Sequence, residues 1–306
     1  MQFEDNYLLK TITTLSIGGP AKKFVIVSSE EELIEALEYA KSQQMPYLII
    51  GGGSNLLISD DGFEGLVIKN EICDLSTSKV GPDSFEVCVK SGTLLQNLVD
   101  YTIQNGLSGL QKLTGIPGTV GGAVYGNAGA YGQSISDHIV SVDQLNKSGC
   151  AFGYRNSIFK QSKQPILEVT FQLEPGDPDI LKKEAEEVLS KRAVRYPPGI
   201  KCPGSFFKNL IASEIPEEIL NNIPQEKIVY GKLSAGALLE EVGAKGQSLN
   251  GIEISPIHGN LFINKDNGTA KDFYDLAKTY AEKVKEKYDI TLVPEVQLIN
   301  LPWDLN

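Results

Sequence analysis

The sequence predicts a chain of mixed helices and strands, α/β or α+β, divided into two or three domains. Three observations predict it. The 306 residues exceed one ordinary hydrophobic core. Apolar runs of strand length alternate with segments whose apolar residues recur at helical spacing. Two glycine-rich stretches interrupt that alternation, one at 51–53 and a longer one at 115–132.

The elements follow in order. Residues 24–27 form a short apolar strand. Ser28 or Ser29 then caps a helix with acids in its first turn and Leu33, Ala36, Leu37 and Ala40 on one face. A strand at 47–50 runs directly into 51-GGGSNLL-57, and 66–68 is the next strand. Residues 85–90 alternate as a strand. Leu95, Leu98, Val99 and Thr102 mark a helix that ends at Asn105-Gly106. After the run 115-GIPGTVGGAVYGNAGAYG-132 come two or three strands within 139–173 and a charged helix over about 178–195. The Pro- and Gly-rich segment 196-YPPGIKCPG-204 reads as a domain boundary. A last helix shows Phe273, Leu276, Ala277, Tyr280 and Val284 on one face, and a final strand lies within 292–299.

Composition excludes several function classes. The chain is 41% hydrophobic and 22% charged, as soluble globular proteins are. Its net charge of −11, with no Lys/Arg cluster, predicts neither a nucleic-acid nor an anionic-membrane partner. No apolar run reaches membrane-spanning length, and the N-terminus lacks signal-peptide character, so no membrane insertion and a cytoplasmic location are expected. Four cysteines without a CxxC pair, and two histidines, predict no metal site.

The glycine stretches are the chemical signal. Neither matches G-x-G-x-x-G opening a helix, nor a G-x-x-x-x-G-K-[ST] loop. Taken alone, 51–57 fits a tight structural turn. The second run holds seven glycines in eighteen residues. So few side chains argue against an ordinary core element and for backbone N–H groups exposed to an anion. Ser54, Asn55, Thr119 and Asn127 add neutral donors. The pair suits a dinucleotide whose pyrophosphate lies along the backbone.

GGGSN at 51–55 together with 115–132 resembles the flavin-binding signature of the UDP-N-acetylenolpyruvoylglucosamine reductase family. The resemblance continues through 13-TTLSIGGPA-21, 154-YRNSIF-159, 204-GSFFKN-209, 258-HGNLFIN-264, 266-DNGTA-270 and 294-PEV-296, nearly the whole chain. It implies an α+β protein with a two-subdomain FAD-binding fold of the vanillyl-alcohol/para-cresol oxidase type and a C-terminal α/β substrate domain. Subdomain 1 is expected over 1–70, with a final strand near 296–306 that can return to it. Subdomain 2 follows over 71–196, and the substrate domain over 197–295.

The resemblance implies FAD, non-covalent because no His lies near the first loop, with NADPH as hydride donor. Cofactor-binding candidates are Gly51, Gly52, Gly53, Ser54, Asn55, Gly115, Pro117, Gly118, Thr119, Gly121, Gly122, Asn127, Gly129 and Ala130. Tyr125 and Tyr131 either flank the flavin or pack. The family reaction reduces an enolpyruvyl ether on a UDP-sugar to a lactyl ether. Arg155 then matches the arginine that steadies the growing enolate and its carboxylate, Ser205 the proton donor to carbon, and Glu295 the catalytic acid. A carboxylate in the apolar strand LVPEVQLI is costly unless paired or protonated, which suits an acid. Read without the resemblance, Arg155 is a solvated surface residue, Ser205 a turn residue and Glu295 as readily an edge-strand residue. Substrate-binding candidates are Lys208, Asn209, Lys245 and His258, the last more often structural. A monomer is expected.

The chain departs from one class of the family. Only KQSKQP separates Phe159 from the strand beginning at 166, leaving no room for the loop whose Tyr closes over UDP, so the short-loop (type II) class is the match. The segment 211–232 is longer than the family pattern. A different flavin-dependent oxidase or dehydrogenase on the same fold would share the glycine loops, but not YRNSIF, GSFFKN and PEV together. A nucleotide-binding module without chemistry would have lost Arg155, Ser205 or Glu295.

Overall fold

Ser29 opens the first helix by accepting a hydrogen bond from the Glu32 N–H, and the acids Glu30, Glu31 and Glu32 sit at its positive end. This is α1 (Glu30–Ser42), with Leu33, Ala36 and Ala40 buried. The computed structural model describes residues 1–221 and 223–305. They divide into two units.

The first unit comprises Met1–Asp5, Lys23–Gly52 and Glu64–Pro198. Most of a four-stranded sheet lies here, its strands in the order Glu4–Leu8, Pro20–Val27, Phe63–Asn70, Tyr47–Ile50. Tyr47–Ile50 and Phe63–Asn70 pair in parallel. Leu33, Ala36 and Ala40 close with Val25, Val27, Leu66 and Ile68 into one core. A larger, antiparallel sheet follows, in the order Leu145–Asn146, Ile139–Val142, Glu168–Pro175, Ser84–Lys90, Leu75–Gly81. Leu95, Leu98, Val99 and Ile103 of α2 (Leu95–Gln104) are buried in its core with Val87, Val89, Val169 and Phe171.

The second glycine run differs from the expectation that so few side chains cannot build core. Thr119 caps a short helix, α3 (Val120–Gly126), by accepting from the Gly122 N–H at 3.3 Å. Val120 and Val124 are four residues apart, share a face and are wholly buried with Ala123. The glycines between them leave the opposite side bare. A short turn of helix, α4 (Phe159–Ser162), and α5 (Pro178–Arg195), capped by Asp177, complete the unit.

The second unit comprises Asn6–Lys22, Gly53–Phe63 and Gly199–Asn306. The final strand, Gln297–Ile299, pairs in parallel with Leu56–Ile58. The long segment after 210 is a folded excursion. Leu210–Ile211 and Ile228–Val229 flank Lys232–Leu233 in a three-stranded sheet. α6 (Glu217–Leu220) lies within it, and Ile223 is buried in the unit's core. Two helices follow: α7 (Ala235–Glu241) and α8 (Ala270–Tyr288). Thr269 and Asp272 form a capping box at the start of α8. Asp60 adds two acceptors there, to the N–H groups of Ala270 and Lys271 at 2.9 and 3.0 Å.

Phe273 of α8 holds this core. It is fully buried, with ring centroids 5.0 Å from Phe206 and 5.3 Å from Phe262. Phe273→Ala should cost about 3–5 kcal/mol, the range for emptying a buried aromatic position. Urea unfolding measures it. A loss below about 1 kcal/mol would mean that this aromatic cluster collapses to refill the space.

Candidate active site

In the first unit, the two glycine stretches meet. A Cβ on Gly51 would collide with Thr119 Oγ1, and one on Gly52 would stand 2.8 Å from Gly118 Cα. Gly51 and Gly52 are therefore required by the close approach of the second run. Gly53 is required by its own backbone, at φ +62°. The N–H groups of Gly52, Gly118 and Thr119 donate to no backbone carbonyl among the described residues. Other members of the run are committed to structure. Gly121 N–H donates to Ser91 O at 2.8 Å, and Gly115 N–H to Gln96 Oε1 at 2.7 Å. Gly129–Ala130 pairs with Gln133–Ser134 in a small hairpin, and Pro117 is exposed.

Buried polar atoms mark the same run. Among the described residues, the buried side-chain atoms that find no partner are Thr114 Oγ1, Asn127 Oδ1, Gln133 Oε1 and Arg192 Nε. Three belong to residues within 114–133. Folded proteins satisfy nearly all such atoms, so their gathering along one glycine-rich stretch fits a polar ligand such as a dinucleotide.

Arg155 hangs from this run. It turns the chain at φ +52°, an uncommon conformation for a side chain of its size. Its guanidinium donates to Gly129 O at 2.8 Å and Asn127 O at 3.4 Å. Three further bonds latch the turn: Asn127 Nδ2 to Gly153 O, Ser157 Oγ to Tyr125 O and Lys160 Nζ to Arg155 O, each 2.8 Å. Tyr125 packs against the unit's core, and Tyr131 is 41% exposed.

In the second unit, residues 205–208 run between two other segments. Ser205 bridges Leu261, and Phe207 bridges Pro294. Glu295 N–H donates to Phe206 O at 2.7 Å, so the segments bearing Ser205 and Glu295 are neighbours. Asn260, 2% exposed, clamps the middle one. It accepts from Phe207 N–H and donates to Phe207 O, both at 2.8 Å. Glu295 itself departs from the expected strand: it lies on a bend, and regular pairing begins only at Gln297. Pro294 has no N–H to give a ladder, which shortens the strand.

Three substrate-binding candidates gather on α7. Asn209 Oδ1 accepts from Ala235 N–H at 3.1 Å. Glu240 pairs with Lys245 at 2.7 Å, accepts from Gly259 N–H at 3.1 Å and lies 4.0 Å from His258 Nδ1. Lys208 is fixed through its backbone, donating to Val293 O at 2.9 Å. Sequence reasoning missed Glu240, Asn260 and Ser157. Asn260 and Ser157 lie inside HGNLFIN and YRNSIF, where a buried polar side chain could have been asked for. Glu240 carried no signal.

Comparison with known proteins bears on these residues. Residues 21–152 match the model of an FAD binding domain, and 197–299 that of the UDP-N-acetylenolpyruvoylglucosamine reductase C-terminal domain. A UDP-N-acetylenolpyruvoylglucosamine reductase of Solibacter usitatus is 35% identical over 300 residues, 95% of each chain. One from Bacillus licheniformis is 35% identical over 306 residues, 96% of this chain and 93% of its own. The crystal structure of the reductase from Thermus caldophilus covers 97% of this chain and 98% of its own, at 30% identity and a TM-score of 0.73. The α+β class and the order of FAD-binding part and C-terminal domain agree with the sequence expectation.

Gly51→Ala tests the junction of the glycine stretches. FAD affinity should fall on the order of tenfold, about 1.4 kcal/mol, in a fluorescence titration. Wild-type affinity would separate this junction from the cofactor site.

Proposed function

The chain belongs to the UDP-N-acetylenolpyruvoylglucosamine reductase family, and on that premise we propose how its residues divide the reaction. It is an FAD-dependent oxidoreductase that reduces UDP-N-acetylenolpyruvoylglucosamine, a step of peptidoglycan precursor synthesis. Bound FAD, with NADPH as its hydride source, would supply the hydride that the terminal carbon of the enolpyruvyl group takes up.

Everything else falls to side chains and backbone. Gly51 to Asn55 and the run from Gly115 to Ala130 would hold the cofactor: Gly51 and Gly52 by permitting the loops to meet, Thr119 and the unspent N–H groups of Gly52 and Gly118 as donors to phosphate. Asn127 has a second task, since its backbone oxygen and amide steady the Arg155 turn. Arg155 offers a rigid cationic fork to the substrate carboxylate as negative charge spreads into it. Being pinned to two carbonyls, it meets that charge without reorganising.

Ser205 hands a proton to the neighbouring carbon, and Glu295 assists as acid. The observation that carries this assignment is the 2.7 Å bond from Glu295 N–H to Phe206 O, which sets the two side chains on adjoining segments. Lys208, Asn209, Lys245 and His258 receive the UDP moiety. The common support of Asn209, Lys245 and His258 by α7 and Glu240 favours one ligand site over three independent surface roles. We keep domain limits of 1–70, 71–196 and 197–295 as part of this proposal, whereas the compact units join most of 1–70 with 71–196. No described helix is long and apolar enough to cross a membrane, and we assign the reaction to a cytoplasmic monomer.

Ser205→Ala separates the two halves of the reaction. NADPH should still bleach the flavin at the wild-type rate. Reoxidation by the enolpyruvyl substrate should slow by about 10²–10⁴-fold, the span of general-acid effects. Stopped-flow absorbance reads both. Unimpaired reoxidation would remove Ser205 from proton transfer.

A further inference from the structure

Arg192, on the last turn of α5, is a half-buried cation with no carboxylate paired to it among the described residues. Its Nε is buried and finds no partner, and no carboxylate pairs with it among the described residues. Its one recorded neighbour of note is the Tyr196 ring, 5.2 Å from the guanidinium carbon. Burial pulls its pKa below the usual guanidinium range. A half-buried guanidinium that meets no acceptor is costly unless something anionic reaches it.

Its position says what that partner is. A Cβ on Gly115 would lie 3.1 Å from Arg192 Nε and 3.3 Å from its Cδ. Gly115 starts the glycine run, three residues before Gly118, which touches Gly52. The side chain thus reaches the backbone of the cofactor loop at the point where a larger residue would push it away. The adjoining cleft is lined by Lys112, Tyr131 and Lys191 as well as Glu184 and Glu187. Glu184 is already engaged by Gln111 at 2.9 Å. Two lysines and two glutamates balance there, so Arg192 beside them is the charge left without a counterpart.

We propose that Arg192 is a binding residue for FAD, its guanidinium pairing with an anionic oxygen of the bound cofactor. This rests on FAD being the resident cofactor. The pyrophosphate and the N1–C2=O edge of the reduced ring both present such an oxygen.

The test uses holoenzyme carrying Arg192→Gln, Arg192→Lys or, as a charge-matched control on an exposed face of α5, Lys183→Gln. Release of FAD after dilution is followed by the rise in flavin fluorescence, and the midpoint potential by redox titration. Arg192→Gln should release FAD at least tenfold faster, with a weaker salt dependence than wild type. Lys183→Gln should match wild type. An unchanged potential assigns the pyrophosphate. A potential lowered by about 30 mV for each tenfold preferential loss of the reduced form assigns the ring edge.

Wild-type release and potential in Arg192→Gln would overturn the proposal. So would a lowered melting temperature with unchanged release, which marks a purely structural role. If Arg192→Gln does not fold, Arg192→Lys decides. Loss of the two-pronged donor should speed release severalfold, and wild-type release would overturn the assignment. Wild-type protein that binds no flavin would instead refute the cofactor reading itself.

Discussion

The approach of two backbones, Gly51-Gly52 onto Gly118-Thr119, is the contact on which the cofactor half of the molecule depends. Side chains on those glycines would keep the loops apart. Only bare backbone lets a parallel strand end and a helix start converge with several N–H groups unspent. The cost is the entropy of ordering glycine. The large antiparallel core offsets it: Val120 and Val124 bury the far side of the second run and hold its near side in place. Binding capacity and packing are thus divided between two faces of seven residues.

On the proposed division of labour, the same run serves the chemistry as well as the cofactor. Arg155 reaches its carbonyls, while Asn127, Ser157 and Lys160 tie the flanking turn to them or to itself. A long, flexible side chain is thereby held by bonds whose partners are mostly main chain, and main chain moves little. The second unit uses a different device. Ser205 and Glu295 come from segments about ninety residues apart in sequence, joined by backbone bonds and clamped by the buried amide of Asn260. The Arg155 side chain and the segments bearing Ser205 and Glu295 are placed by polar contacts to backbone, which suits groups proposed to hold position while charge develops.

Much of this was legible in the sequence. Helical periodicity located α1, α2 and α8 because each buries one continuous stripe, and Ser29 and Asn105-Gly106 marked their ends as local rules require. The glycine run reads in the sequence as a ligand loop, and its helix does not show there: two valines and an alanine amid glycines give too weak a stripe to outweigh composition. Glu295 was expected on a strand because the apolar pattern continues through it. Pro294 overrides that pattern by removing a donor. Glu240 and Arg192 were invisible, since each acquires meaning only from residues brought to it by folding: Lys245, Gly259 and His258 for one, Gly115 for the other.

The distribution of unmet polar groups closes the physical case. A fold selected for stability alone would have no reason to gather Thr114, Asn127, Gln133 and Arg192 with unpartnered buried atoms about one loop. Such groups cost the folded protein on the order of 1–3 kcal/mol each when nothing meets them. A ligand that satisfies them recovers that cost only in the native state, so its affinity becomes folding stability. At a hundredfold excess over its dissociation constant the gain is about 2.7 kcal/mol. On the proposed reading the glycine run is therefore also a stability element, and the first unit gains stability when its dinucleotide binds.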